Sequence, residues 1–348
     1  MSASDRYAAA GVDITAGDTA KRRIGELVRG TWTAASRGAV GAFGGMVRLP
    51  ADVPDPVLVA STDSLGTKGM VALMAGRHDT VGEDLVNHCV NDILVHAARP
   101  IGFLDCFSTG RLDADVLAAV VEGVARGCRA HAMPLLGGET AQLPDIYEPA
   151  DYDLSGTIIG VVSEREALHG DRVRAGDALV GYAASGFHTN GYTLVRRVLF
   201  DEAGLGVDDA FPGLGQSIAE VLLAVHRSYF RALWPVRGTV HAMAHITGGG
   251  IPGNLHRVLP ATVDAIIHDG AWPIPAWCRG VQELGHVPAD EMHQVFNMGV
   301  GMIAVCDPGD VAAVRAAAAA DAVETWVIGA VAPGSGTVRW DARAATRG

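Results

Sequence analysis

The sequence predicts an α/β (α+β) chain of two mixed α/β domains, and three observations carry that reading. The length of 348 residues exceeds what one core ordinarily fills. From residue 57 onward, short β-like apolar runs alternate with helix-length segments. Near residue 171 the alternation starts again, which separates a first domain, 1–170, from a second, 171–348. Hydrophobic residues at 49% and charged ones at 19% give a globular profile, and 44 glycines imply many tight turns. The formal charge of −12 argues against nucleic acid or an anionic membrane surface as a partner, although local donors and a metal ion still allow phosphate binding.

The five cysteines are scattered, odd in number and without a CxxC pair, so neither a disulfide framework nor a zinc site is expected. The start of the chain has no basic stretch followed by an apolar core, and no uncharged apolar run approaches about 18 residues. A soluble cytoplasmic protein is expected.

Taken in order, the pattern gives a helix over 19–29 capped by Asp18, then the turn-like Gly41-Ala-Phe-Gly-Gly45. Strands are expected at 57–61, 101–109 and 152–162, and helices at 81–97 and 113–131. The first strand runs into Asp63-Ser-Leu-Gly-Thr-Lys68, a carboxylate, a flexible Gly and an ammonium at the mouth of a sheet. Lys68 is one of only two lysines, with Lys21, among 27 basic residues, and a compact ammonium suits polyphosphate. In the helix over 81–97, Leu85, Val86, Cys89, Val90, Ile93 and Leu94 make one apolar stripe. Asp92 falls between Val90 and Ile93, so its carboxylate needs a hydrogen-bond network or a cation. Leu136-Gly-Gly-Glu-Thr-Ala-Gln-Leu-Pro144 reads as a turn offering Glu139. Asp63, Asp92 and Glu139 are hard oxygen donors of the kind that hold Mg²⁺ on ATP phosphates.

In the second half a strand over 177–185 leads into Ser185-Gly-Phe-His-Thr-Asn-Gly191 and a helix over 192–200, an arrangement suited to an anion. Helices over 216–233 follow, and His241-Ala-Met-Ala-His245-Ile-Thr-Gly-Gly-Gly250 repeats the theme of an apolar run ending in hydroxyl and glycines. Strands at 262–268, 300–305 and 325–331, a helix at 311–320 and an edge strand after Pro333 complete the domain. Three motifs lead nowhere. Gly299-Val-Gly-Met-Ile-Ala304 opens a strand-like run instead of following one, so it is no Rossmann fingerprint. No G-x-x-x-x-G-K-[ST] occurs, so there is no P-loop. His241 and His245 lie on a strand-like run, without the helical context of a zinc motif.

Read jointly, Ala10-Gly-Val-Asp-Ile-Thr-Ala-Gly17, Phe43-Gly-Gly45, Thr62 to Lys68, Arg77 to Asp84, Cys89-Val-Asn-Asp92, Gly137-Gly-Glu-Thr-Ala141, Ser185 to Tyr192, His245 to Gly250 and Phe296 to Gly301 closely resemble the phosphoribosylformylglycinamidine cyclo-ligase (aminoimidazole ribonucleotide synthetase) family. The resemblance implies an ATP- and Mg²⁺-using enzyme without a P-loop, which closes the imidazole ring of formylglycinamidine ribonucleotide in purine biosynthesis. It also implies a homodimer, and because the strands read before residue 163 make a small sheet whose edge and face need covering, the N-terminal sheet is expected to pair across the two copies. By position it implies that Asp63, Asp92 and Glu139 handle Mg²⁺ and that Phe43, Gly44, Gly45, Lys68, Gly137 and Gly138 join them around ATP. Ser185, Gly186, His188, Thr189, Asn190, Thr247, Gly248 and Gly249 would hold the substrate, with Lys68 and His188 catalytic. Two positions depart from the family pattern: Ser64 stands where Gly is usual, and Gly25 where many members have Lys. Other members of the same ATP-using superfamily, and a non-enzymatic scaffold resembling maturation proteins, are the rival readings.

Overall fold

Alternation of Val57, Val59, Ser61 and Asp63 with Leu58, Ala60 and Thr62 gives a strand with one partly covered side and one exposed side. In the computed structural model, which describes residues 14–341, this is β3 (Pro56–Ser64), preceded by the small antiparallel pair β1 (Ser36–Arg37) and β2 (Met46–Val47). The strands β4 (Arg99–Thr109), β5 (Leu135–Gln142) and β6 (Tyr152–Ser163) complete a four-stranded sheet in the order β3-β6-β4-β5. β4 runs antiparallel to β6 and parallel to β5.

Four helices belong to the same part of the chain: α1 (Ile14–Arg29), α2 (Lys68–Ala75), α3 (Val81–Leu94) and α4 (Ala114–Ala130). The expected apolar stripe of α3 is buried completely, each large side chain contributing about 1.5–3 kcal/mol. Asp113 caps α4 as its composition suggests, its Oδ1 accepting from the N–H groups of Asp115 at 2.8 Å and Val116 at 3.2 Å. Asp18, by contrast, lies inside α1 and is not its cap.

Residues 136–142 are not a turn but most of β5. The glycines that suggested a turn serve strand pairing instead: a Cβ on Gly138 would sit 2.1 Å from Asp105 Oδ1 on the neighbouring strand.

The second half forms a six-stranded sheet from β7 (Ala178–Ala183), β8 (Val240–His245), β9 (Val263–His268), β10 (Val300–Cys306), β11 (Thr325–Pro333) and β12 (Val338–Asp341). Its order is β12-β9-β11-β7-β10-β8, antiparallel except for the parallel β12–β9 pair. All seven residues of β10 are buried, so the Gly299–Ala304 run is core strand. The expected helices over 216–233 reduce to α6 (Ile218–Leu222) and α7 (Phe230–Leu233), after α5 (Tyr192–Arg196) and the π-helical turn Arg197–Glu202. Residues 223–229 between them are not helical. The chain divides into two compact units, one of Arg99–Val161 with the described residues through Ile93, the other of Leu94–Ala98 with the described residues from Val162. Among the described residues no helix is long and apolar enough to cross a membrane. Residues 10–13 of the first family-like segment lie outside the described residues.

Candidate active site

In the first unit three polar residues of α3 fall on one line. Asp84, His88 and Asp92 are spaced by four, so they stack along one helix face, and all but Asp92 are buried. His88 Nε2 lies 2.8 Å from Asp63 Oδ2 at the end of β3, and Ser61 Oγ donates to Asp92 Oδ2 at 3.0 Å. Lys68, at the start of α2, pairs with Asp84 at 2.8 Å, and neither side chain has exposed surface. Burial pushes the Lys68 ammonium below its usual 10.5, with Asp84 pulling the other way. Burial also works against a charged His88, but the Asp63 hydrogen bond and the charges of Asp92, Asp63 and Asp84 outweigh it and raise the imidazole above its usual 6.5. Thus Asp63 and Asp92 do come together, with His88 between them as a counter-charge that the sequence reading missed.

Glu139 does not join them. It sits on β5 opposite Cys106, which is opposite Ser155 of β6, with β3 on the far side of β6. Three strand spacings amount to roughly 14 Å. The faces differ as well: Phe103 and Phe107 point to the helix-covered side, where Phe103 and Leu85 of α3 both approach Gly156, so Cys106 and Glu139 point to the other. A single chain therefore does not gather the three carboxylates around one ion. Glu139 instead belongs with Gly137, Gly138 and the exposed Phe43, Gly44 and Gly45, because Gly45 packs against Leu136 at the start of β5. The candidate ATP residues form two groups at opposite edges of one sheet.

The two departures from the family pattern are accommodated. Ser64 is not among the non-glycine residues with positive φ, so the backbone there suits any side chain. Gly25 lies within α1, and the Arg29 guanidinium passes 3.7 Å from the point where its Cβ would be.

In the second unit, the loop after β7 carries Ser185 to Gly191, and the loop after β8 carries Thr247 to Gly249 before α8 (Gly250–Leu255). The loops meet: Asn190 Oδ1 lies 3.5 Å from where a Cβ of Gly248 would be. Side chains that the sequence reading did not single out hold them. Asn254 Nδ2 donates to the carbonyls of Gly250 at 2.8 Å and Gly248 at 3.2 Å. Asn297 Nδ2 donates to the Gly186 carbonyl at 3.0 Å, and its Oδ1 accepts from Gly299 N–H at 2.8 Å. His188 is 1% exposed and takes φ 61°, a strained conformation for a non-glycine residue that the surrounding contacts must enforce. Its Nε2 accepts from Ser185 N–H at 3.3 Å, so the neutral ring carries its proton on Nδ1.

His188 stacks on His226 at 4.0 Å and 20°, and His226 Nε2 is 3.2 Å from His245 Nε2. Three buried imidazoles invite a metal reading. The stack opposes it, because the in-plane lone pairs of nearly parallel rings run side by side and do not converge on one ion.

Two family models cover most of the chain: the AIR synthase related protein N-terminal domain over residues 41–162 and its C-terminal domain over 174–341. The phosphoribosylformylglycinamidine cyclo-ligase of Sorangium cellulosum (strain So ce56) is 46% identical over 329 residues, 93% of this chain and 94% of the relative. The chain belongs to the phosphoribosylformylglycinamidine cyclo-ligase family. A cyclo-ligase of Xanthomonas oryzae pv. oryzae (strain PXO99A) matches at 42% over 96% of this chain and 98% of its own. Among solved structures, thiamine-monophosphate kinase from Stenotrophomonas maltophilia K279a has TM-score 0.69 at 20% identity, covering 91% of this chain and 95% of that one. Hydrogenase maturation protein HypE in complex with ATP has TM-score 0.61 at 20% identity, covering 92% and 90%. At those identities the neighbours share the cyclo-ligase fold and nothing finer.

Proposed function

We propose that this chain closes the imidazole ring of formylglycinamidine ribonucleotide in an ATP-dependent reaction, giving 5-aminoimidazole ribonucleotide, ADP and phosphate. Family membership supports the reaction, and the structural observation that carries it is the meeting of the 185–191 and 247–249 loops beside the buried, strained His188. Small hydroxyls, an amide and backbone N–H groups at two helix starts form a receptor for a phosphorylated, amide-bearing substrate.

An amide oxygen is a poor leaving group. Moving the γ-phosphoryl group onto the formyl oxygen converts it to one, and attack of the amidine nitrogen on the same carbon closes the ring as the C–O bond breaks and phosphate departs. The nitrogen gives up its proton. His188, with its proton on Nδ1, polarises the formyl oxygen in the first step, and the Ser185 contact keeps the ring in that tautomer. Asp63 and Asp92 form an all-oxygen pair that fits a hard divalent cation. Mg²⁺ held there would supply positive charge opposite the transferring phosphoryl group. His88 holds one Asp63 oxygen at 2.8 Å, which leaves the other Asp63 oxygen and Asp92 as the atoms that would hold such a cation. Lys68 serves by holding Asp84 beneath the site.

The second ATP group, Phe43 to Gly45 with Gly137 to Glu139, lies at the other sheet edge, so one nucleotide meets both groups where two copies pair their N-terminal sheets. That is the argument for a homodimer. A cytoplasmic setting accords with five cysteines that are all unpaired. The test is ADP release measured with and without formylglycinamidine ribonucleotide. Release that requires this substrate, and that thiamine monophosphate does not elicit, is expected; ATP turnover driven by thiamine monophosphate would replace this reading with a kinase.

A further inference from the structure

The turn Phe296-Asn-Met-Gly299 leads from the helix Ala289–Val295 into β10, and both candidate substrate loops seat against it. A Cβ on Gly191, at the end of the first loop, would strike the Phe296 ring; one on Gly250, just past the second, would strike the His293 and Phe296 carbonyls. The turn itself is firmly held. Met298 and Gly299 take φ 51° and 93°, Trp272 Nε1–H donates to the Met298 carbonyl at 2.9 Å, and the Gly299 carbonyl accepts from Ala184 N–H at 2.9 Å. Asn297, 4% exposed, reaches from this turn to the first loop. Its Oδ1 accepts from Gly299 N–H at 2.8 Å and closes the turn on itself, so the other end of the amide points in a fixed direction. There Nδ2 donates to the Gly186 carbonyl at 3.0 Å, two residues before His188. Phe187, between them, packs on Phe296 at 5.3 Å and on Trp277 at 4.6 Å between ring centroids. His188 follows at φ 61°, a conformation that persists only where the surroundings over-determine it. Its contacts with His226 and with Ser185 N–H act on the ring, whereas Asn297 acts on the backbone that leads into it.

We propose that Asn297 is a positioning residue: its amide, anchored on the Phe296–Gly299 turn, pins the Gly186 carbonyl and thereby holds His188 in the strained backbone conformation that aims its ring. An amide presents an acceptor and a donor side by side, and here both are engaged. A carboxylate of the same shape keeps the acceptor for Gly299 N–H but sets a second oxygen against the Gly186 carbonyl. The consequence for kcat rests on the cyclo-ligase reading and the part His188 plays in it; the hold on His188 stands apart from that reading.

The test uses the full chain with two variants, each compared with the wild type at the same pH so that groups titrating in both proteins cancel. Asn297→Ala removes the donor at every pH, and kcat is expected to fall by about 10-fold or more with the KM for Mg·ATP within about twofold. Made on His188→Ala, the same change is expected to cost at most about twofold further, because the two act as one unit. Asn297→Asp regains a donor when its carboxyl is protonated, which burial and the facing carbonyl favour, so its kcat should lie near the wild type at acid pH and fall away as pH rises. A folded Asn297→Ala protein with wild-type kcat, a loss that adds in full to that of His188→Ala, or an Asn297→Asp protein that tracks Asn297→Ala at every pH overturns the proposal. Should Asn297→Ala not fold, Asn297→Asp decides alone, and a kcat ratio to the wild type that stays flat with pH is the overturning result. The hold on His188 is also read without substrate. With ¹⁵N-labelled histidine, the His188 ring signals, assigned by their loss in His188→Ala, are expected to shift in Asn297→Ala and to return toward the wild type in Asn297→Asp at acid pH. A wild-type protein that closes no ring refutes the reaction and leaves this inference judged on those spectra, where unchanged His188 signals in the variants overturn it.

Discussion

Gly301 shows how tightly single residues set this site. A Cβ there would come 2.1 Å from Tyr229 Oη and 2.4 Å from His188 Cε1, and both neighbours are buried and unable to give way cheaply. Gly301→Ala is expected to cost about 1–3 kcal/mol of stability by overpacking and to lower kcat, because His188 is displaced. Chemical denaturation and steady-state kinetics check this, and a variant with unchanged kcat would show that the His188 position is not critical. His188→Ala itself is expected to lose roughly 10²-fold or more in kcat with little change in Mg·ATP binding. Asp63→Asn should raise the Mg²⁺ requirement, with partial recovery at high Mg²⁺, if the proposed cation site loses one charged oxygen. Asp63, Asp92 and His188 were legible in the sequence, since a carboxylate at a strand end, a carboxylate in an apolar stripe and a His among hydroxyls each break a local pattern. Asp84, His88 and His226 were not. Their polar character is cancelled by partners distant in sequence, Lys68, Asp63 and Thr189, which only the folded chain supplies.

At the scale of elements, the Lys68–Asp84 pair joins the start of α2 to α3 in the interior. Removing one member leaves an uncompensated buried charge, so Lys68→Met is expected to destabilise by about 3–5 kcal/mol, while Lys68→Met with Asp84→Leu recovers much of that loss. Equal stability of wild type and Lys68→Met in urea would contradict a structural ion pair. On β9, Asp264 accepts from Ser335 N–H at 2.7 Å and Thr337 N–H at 2.9 Å and pairs with Arg339 at 2.8 Å, fastening the chain that leads into β12. These backbone bonds, with the Thr337 hydroxyl and Arg339, hold its carboxyl down to about 2, from a usual 3.8. Since the folded pKa is the lower one, this contribution is complete above pH 3.8 and is lost as pH falls toward 2. Asp264→Asn should therefore flatten the acid limb of the stability profile. Strand positions were readable wherever apolar residues alternate or run together, as at β3, β4, β6 and β10. β5 was misread because Gly137 and Gly138 signal a turn locally, whereas the constraint that selects Gly138 is Asp105 on the adjacent strand. The break between α6 and α7 was missed because the helical period of 216–233 is continuous and the ties that interrupt it come from the 183–192 segment.

For the whole molecule, the exposed side of the N-terminal sheet carries Leu58 at 58% exposure on an edge strand, with Leu104 and Ile159 partly exposed on the same face. Such an edge and face call for a cover, and the split of the candidate nucleotide residues between two sheet edges makes a second copy the proposed one. Sedimentation at micromolar concentration should give a dimer, and Leu58→Lys should shift it toward monomer with loss of ATP turnover; a wild-type monomer with full activity would place both nucleotide groups' roles within one chain. In the proposed reaction the formyl oxygen is phosphorylated and then expelled as the ring closes. Turnover of substrate carrying ¹⁸O in the formyl group measures this directly. Each ring closed is expected to deliver the label into the inorganic phosphate released. Label recovered in water, with unlabelled phosphate, would contradict it.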